Sequence, residues 1–441
     1  MKQTIKFLVL TASIGCATAP PVFNTAAQIQ SAANLANAIE FHSEALPAES
    51  TGAVNSLQLP AAVERALRQS TEVQIALAEV RRAQAAAHQS RLLPNPILDI
   101  VFRFSEGGGR TVIETGLTAD LTRLLQRPRR ISAADGRLRA ASAKAVVTVL
   151  DVMHATQKIY FDAVGLRREA AILTEQNNRI GELLKVAEVR LAAGEGTQLD
   201  VTTLKAEQTT GIIDLREATL KLTQANLTLA HRLGQPRGRT DWKLTTPLYT
   251  QVVLRGEPDS IAHGLRVRPE IQADRWQLAV LEDQTALARL AWMEKNAAGL
   301  SAERNSDWSL GPSAVLPLPL FDWGQARRAN ARAQAIAARH RLTQTTRQVA
   351  REIRQAYTAV SSLMTTAHRV HTELMPLHEE RVRLTRVVYE AGQSDVTALR
   401  LAELDLLKTQ LKSVRLEHRT TRAIIALDRA TGGSEGMSND Q

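Results

Sequence analysis

The sequence is poor in cysteine, in aromatic residues and in long apolar runs. It has one cysteine in 441 residues, which excludes an intrachain disulfide framework and the cysteine-rich zinc modules that need several thiolates at fixed spacing. Aromatic residues make up only 4%, few for a compact aromatic core. Ala, Leu, Arg, Gln and Thr recur instead, a composition that favours long helices. Beyond the N-terminal segment no stretch offers the ~18 uninterrupted apolar residues of a spanning helix, so a membrane crossing by this chain needs strands closed into a barrel. The formal net charge is +10, yet acidic and basic residues are interspersed along helical faces rather than gathered into one basic block. A solvated helical surface accounts for that charge better than a nucleic-acid partner does.

What is present begins with an export signal. Lys2 and Lys6 flank the start of an apolar run, Phe7 to Leu10, that continues through Ala12 and Ile14 to Gly15 and Cys16. Residues 1–16 therefore read as a signal peptide rather than a spanning helix. Cys16 follows the small Gly15, where a lipoprotein signal carries its acylated residue, although Ser13 stands where such signals usually carry Leu. Lipidation of Cys16 and ordinary cleavage after Ala19 or Ala27 both fit. Residues 17–56, rich in Ala, Ser, Asn and Thr, read as a flexible arm.

One offset organises the remainder. Gly194 and Gly392 stand 198 residues apart, and so do Gly234 and Gly432, Arg129-Arg130 and Arg327-Arg328, and Leu67-Arg68 with Glu72 and Leu265-Arg266 with Glu270. Four separated anchors at one ungapped offset indicate an internal duplication. The expected layout is a first repeat over 57–236, a linker over 237–257, a second repeat over 258–434 and a tail over 435–441. Each repeat reads as helix, strand hairpin, long helix, tight turn, long helix.

The opening helix is expected from Pro60 to about Leu92, with Val63, Leu67, Ile75 and Ala78 at helical spacing and Pro94-Asn95-Pro96 as its breaker. A hairpin is then expected at about 96–121. Leu98, Ile100, Phe102 and Phe104 face one way against Asp99 and Arg103, and Ile113, Thr115, Leu117, Ala119 and Leu121 alternate with Glu114, Gly116, Thr118 and Asp120. The second hairpin, at about 296–318, sets Ala298, Leu300, Ala302, Trp308, Leu310, Ala314 and Leu316 against Ser301, Glu303, Ser309, Gly311 and Ser313. The apolar phase is odd in the returning strand of the first hairpin and even in that of the second, so the 198 offset must slip by one residue there. Such alternation suits a strand with lipid outside and water inside, and equally an amphipathic hairpin on a soluble core. From about Arg130 to Ala192 no proline interrupts the pattern, which at ~1.5 Å per residue makes a helix roughly 90 Å long. Its counterpart, Arg328 to Glu390, carries Pro376 as a local kink.

No catalytic constellation is evident. The histidines form no pair at metalloprotease spacing, and no nucleophile elbow or phosphate loop occurs. His368 and His371, three apart on one helix, read more readily as solvated residues than as metal ligands. Gly107-Gly108-Gly109 lies between strands, as a surface turn does.

Taken with the duplication and the export signal, four stretches resemble the TolC-type outer-membrane efflux protein family. They are Leu92-Leu93-Pro94-Asn95-Pro96, Arg268-Pro269-Glu270, the run Leu316-Pro317-Leu318-Pro319-Leu320-Phe321-Asp322-Trp323-Gly324, and Tyr389-Glu390-Ala391-Gly392. The resemblance covers nearly all of the chain after its leader. It implies a mainly α fold with a small β-barrel contribution: four transmembrane strands per protomer, twelve in a trimeric barrel, and long helical hairpins forming a periplasmic tunnel. It implies a passive, non-enzymatic duct in the outer membrane without a cofactor or bound metal, working as a homotrimer with a periplasmic adaptor and an inner-membrane pump of the resistance-nodulation-division type. Its cargo would be drugs or metal cations. A type I secretion channel has the same architecture, and a periplasmic coiled-coil adaptor or scaffold shares only the helical hairpins. By the same resemblance Gly194 and Gly392 mark the adaptor-docking tips, and Tyr389, Asp200 and Asp395 are the constriction residues. Asp200 stands six after Gly194, whereas Ala398 stands six after Gly392, and Asp395 is the nearby acid; both acids equally suit the start of a helix, where capping and the helix dipole favour Asp.

Overall fold

A computed structural model describes residues 24–32, 39–44, 56–104, 111–238, 240–248, 253–293, 296–304, 307–393 and 395–433. The expected signal peptide, Cys16 and the tail lie outside the described residues. The fold is mainly helical. Contacts divide it into one unit holding Glu79–Ala141 and Ala273–Leu342, and another holding Thr25–Ala78, Ser142–Gln272 and Thr343–Gln441.

In the first unit, strands β2 (Ile97–Arg103), β3 (Val112–Asp120), β5 (Ala297–Arg304) and β6 (Trp308–Val315) form one antiparallel sheet in that order. Register sets the chemistry of its faces. Leu98 pairs with Leu117, Leu117 with Leu300 and Leu300 with Pro312; one row away Ile100, Thr115, Ala302 and Leu310 follow one another across the sheet. Paired residues point to the same side, so these rows build one apolar face, and Leu98, Ile100, Phe102, Leu117, Leu300 and Leu310 are all exposed on it. The opposite face carries the row Asp99, Gly116, Ser301, Gly311 and the row Val101, Glu114, Glu303, Ser309. Gly299 is required here, because a Cβ on it would sit 1.9 Å from the Leu117 carbonyl oxygen. The one-residue slip between hairpins is real. Asp99 pairs with Gly116, but Ala297, 198 residues after Asp99, pairs with Val315 rather than Ala314. Pairing is continuous through both hairpins, with no bulge among the described residues.

The helices of this unit pack on small residues and polar ties. Helix α3 (Thr71–Arg91) ends at Arg91, which is buried and reaches Asp135 at 2.8 Å. Helix α4 (Leu121–Ala192) starts directly after β3 and runs through Pro128, a correction to the expected start at Arg130. Asp120 Oδ1 accepts from the Arg123 N–H at 2.9 Å and caps the new start. Pro128, eight residues in, forgoes the N–H bond to the Leu124 carbonyl, and the helix continues past it. Gly136 lets α4 approach Val280 of α7 (Pro269–Ala288), and Arg139 lies over the Trp276 ring at 4.4 Å. Among the described residues no helix is long and apolar enough to cross a membrane.

In the second unit the opening helix is not one but two. Helix α2 (Leu59–Gln69) stops at Ser70, which is extended, and the Ser70 hydroxyl accepts from the Val73 N–H at 3.3 Å to start α3. The duplicate shows the same break at Arg268, between α6 (Glu257–Val267) and α7. The arm also differs from expectation: α1 (Thr25–Ala32) is helical, with Ile29 fully buried and Thr25 hydrogen-bonded to Ser142 at 2.9 Å. Burying Ile29 offsets part of the ordering entropy that would otherwise leave such a segment loose.

A two-residue parallel ladder joins β1 (Ser56–Leu57) to β4 (Lys243–Leu244). Tyr160, fully buried, fastens it by donating to the Leu57 carbonyl at 2.7 Å and accepting from the Thr245 and Thr246 N–H groups at 3.2 Å. Long helices supply the rest: α4, α5 (Gln198–Arg232), α8 (Gln325–Arg369), α9 (Met375–Glu390) and α10 (Val396–Thr431). A π-helical turn, Val370–Leu374, separates α8 from α9. Pro376 therefore sits in the first turn of α9, where its missing N–H is harmless, and the irregularity lies just before it.

Candidate functional site

The glycine turns and the ties between them form the candidate site, all within the second unit. At the end of α4 the N–H groups of Ala193, Gly194 and Glu195 bond the carbonyls of Val189, Leu191 and Arg190. At the end of α9 the N–H groups of Ala391, Gly392 and Gln393 bond Val387, Tyr389 and Val388. The two sets are identical at the 198 offset and close both helices with a left-handed glycine, Gly194 at φ 79° and Gly392 at φ 70°. The duplication thus extends to individual hydrogen bonds.

The next helix starts differently in each repeat. Thr197 caps α5 by accepting from the Asp200 N–H at 3.2 Å, while Asp200 Oδ2 accepts from the Thr197 N–H at 3.2 Å. This reciprocal cap occupies Asp200. The Thr197 hydroxyl and backbone bonds, in that order, hold its carboxyl below the usual carboxylate range. In the second repeat Asp395 is the counterpart of Thr197, and Ala398 replaces the reciprocal acid. Asp395 makes no side-chain cap bond to α10. Its carboxylate accepts from the Thr397 hydroxyl at 2.9 Å and forms an ion pair with Arg190 of α4. The Thr397 hydroxyl, aided by the Thr397 backbone and by Arg190, holds Asp395 below its ordinary range.

Further ties run through the same region. Arg400 of α10 lies 3.6 Å from Glu182 of α4, and Ile180, Leu183 and Leu404 make a small buried cluster between these helices. Tyr389 is 41% exposed and its carbonyl serves the turn. The structure thus brings Asp395 to Arg190, keeps Asp200 within its own cap and leaves the Tyr389 ring half open. Sequence reasoning did not single out Arg190 or Thr197. The Thr197-to-Asp200 spacing was a readable signal for the cap, but nothing local marks Arg190 as the partner of a residue 205 positions away.

Toward the other end of α10 the polar contacts are buried. His154 Nε2 lies 2.8 Å from Asp428 Oδ2 and His154 Nδ1 lies 2.6 Å from the Leu150 carbonyl. Arg268 explains the Arg268-Pro269-Glu270 stretch. Its guanidinium is buried, donates to the carbonyls of Arg429 and Ala430 at the end of α10, and pairs with Glu270 and Glu352. These groups organise helix ends. His371, one of the histidines considered for a metal, instead contacts Ser413 at 3.1 Å and Glu417 at 3.3 Å.

A sheet with an exposed apolar face is thus joined in sequence to long helices that end in glycine turns. Residues 263–433 match the outer membrane efflux protein family model. The chain is 21% identical over 391 residues to the cobalt-zinc-cadmium resistance protein CzcC of Cupriavidus metallidurans, covering 86% of this chain and 91% of that one. Its fold matches the outer-membrane channel OprN with a TM-score of 0.70 at 20% identity, over 90% of this chain and 98% of the other. It also matches the outer-membrane protein VceC of Vibrio cholerae with a TM-score of 0.69 at 20% identity, over 85% and 96% of the two chains. In sequence and in fold the chain is thus similar to outer-membrane efflux proteins.

Proposed function

We propose that three copies of this chain close a twelve-stranded barrel and act as the passive outer-membrane duct of a tripartite efflux pump, fed by a periplasmic adaptor and an inner-membrane pump. The observation that carries this reading is the four-stranded sheet: one face is apolar and exposed, and β2 and β6 each have an edge unpaired among the described residues. In lipid an open edge leaves several backbone groups unsatisfied, and four strands are too few to close on themselves, so copies must supply the missing edges. Chemical cross-linking of the detergent-extracted protein tests this directly; a trimer band is expected, and a persistent monomer that extracts without detergent overturns it.

In the same reading the turns at Gly194 and Gly392 dock the adaptor, and Asp200, Tyr389 and Asp395 line the constriction. An acid near a three-fold axis is triplicated, and three like charges at close quarters impose cation preference. Small molecules are the cargo. The likeness to a cobalt-zinc-cadmium resistance protein favours metal cations over drugs, and metal sensitivity of a deletion strain distinguishes the two. The two repeats, 57–236 and 258–434, belong to this reading, as does Cys16 as a lipid attachment point; intact mass of the mature protein measures the added lipid.

A further inference from the structure

Beneath the sheet, within the first unit, a cavity of about 640 Å³ is lined by five arginines, Arg123, Arg127, Arg130, Arg137 and Arg327, and by no acidic residue. The first four sit on α4 at spacings of four, three and seven, which place them on one helical face. Arg327 comes from the start of α8, and it belongs to one of the paired arginine motifs that mark the duplication. Two of the five have acidic partners that are not part of the lining: Arg123 pairs with Asp120 at 3.2 Å and Arg327 with Asp322 at 3.1 Å. The others do not. Arg130 directs its Nε and one Nη to the neutral Gln126 amide oxygen at 3.1 and 2.9 Å. Arg127 donates one Nη to the Arg91 carbonyl at 2.7 Å, while its Nε is buried without a hydrogen-bond partner. Arg137 is exposed into the cavity region with no ion pair among the described residues.

Gathering guanidinium groups in a concavity without counter-charge is unfavourable unless an anion completes it, and the planar, fixed fork of arginine matches phosphate oxygens two at a time. The surroundings narrow the anion further. Leu92, Leu93 and Pro94 line the same cavity, and both leucines are more than half exposed. They immediately precede β2, and Arg123 closely follows β3, so the arginines lie by the sheet end from which the chain enters its helices. In a sheet that spans lipid, that end meets the headgroup layer, where basic clusters bind anionic headgroups and apolar neighbours accept the acyl chains.

We propose that this cavity is a phosphate-binding site that holds the headgroup phosphodiester of an anionic phospholipid, with Arg127, Arg130 and Arg137 on the phosphate and Leu92 and Leu93 against the acyl chain. The proposal rests on the reading that the sheet spans lipid and goes beyond it, and it does not depend on cargo, adaptor or pump. Free inorganic phosphate offers the same chemistry without the acyl contact, and a zwitterionic lipid offers the acyl contact without net charge.

The test is native mass spectrometry of the full chain in neutral detergent, titrated separately with dioctanoyl phosphatidylglycerol, dioctanoyl phosphatidylcholine and inorganic phosphate. Retention of phosphatidylglycerol at least tenfold tighter than of phosphatidylcholine is expected, with competition by millimolar phosphate. The R130Q/R137Q variant should lose at least tenfold in phosphatidylglycerol affinity, and R130K/R137K, which keeps the charge, should lose less. Binding of phosphate without preference for phosphatidylglycerol overturns the lipid assignment. Equal retention of the two lipids with no response to R130Q/R137Q, or no binding of either anion by the unsubstituted protein, overturns the site itself. The titrations of the unsubstituted protein decide the matter even if a variant fails to fold.

Discussion

Arg190, just before the first glycine turn, forms an ion pair with Asp395, just after the second, although Asp395 is by duplication the counterpart of the capping Thr197. The second repeat has exchanged a local cap for a tie between hairpins. Both side chains are more than one-third exposed, at 41% and 46%, so the tie contributes at most about 1 kcal/mol per chain. Such a weak bond suits a contact that opens and closes. Asp395→Asn should raise the time-averaged conductance of the reconstituted protein up to about fivefold, and Arg190→Ala should do the same. Combining the two should add little further, because they remove one interaction. Full additivity of the two effects in bilayer recordings would show that the pair is not a unit.

The same carboxylate gives a pH dependence. Asp395 titrates below its ordinary range in the folded chain, so its stabilisation is present above the unfolded-state value and is lost as pH falls through the folded one. Conductance should stay flat from neutral to mildly acid pH and rise only below the usual carboxylate range, and Asp395→Asn should abolish that rise. An unchanged acid response in the variant would assign it to another group.

Asp200 tests cap against selectivity. Asp200→Ala removes one half of the reciprocal cap and should be seen as faster amide exchange over the first turn of α5. If the constriction reading holds, the reversal potential in a salt gradient should also shift toward weaker cation preference. Faster exchange without that shift would leave Asp200 as a cap alone.

Gly392 has φ 70° and open space around its Cα, with nothing within 4 Å of a would-be Cβ. A substitution there meets backbone strain alone, so Gly392→Ala should cost about 1 kcal/mol through the turn. By contrast a Cβ on Gly165 would lie 2.6 Å from the His418 ring, which reaches Asp162 at 2.8 Å. Gly165→Ala should therefore be the more destabilising of the two in thermal unfolding, and the reverse order would contradict the packing described for α4 and α10.

Much of the fold was legible because its signals are local or periodic. Alternation between Leu98 and Phe104 gave one face of a strand, and Gly194 and Gly392 gave the turns. The breaks at Ser70 and Arg268 were not read, since helical periodicity continues across them and only a hydroxyl cap or a buried guanidinium distinguishes the joint. Pro128 misleads in the opposite sense: the helix runs through it although its ring removes one i→i−4 bond. At the candidate site, Asp200 suits both a constriction and a helix start, and the structure shows the second of these in its cap with Thr197. Arg190 escaped notice because its meaning depends on a partner far along the chain. Register likewise hid the one-residue slip's location, which only the pairing of Ala297 with Val315 reveals.

The central claim, that this chain forms a passive channel across the outer membrane, is tested most directly by single-channel recording of the purified, detergent-extracted full-length protein in planar lipid bilayers. The account predicts discrete conductance steps without any nucleotide or other energy source, carried by a species that cross-links as a trimer. Absence of conductance from a protein that remains monomeric, and that is recovered in soluble form without detergent, would contradict it.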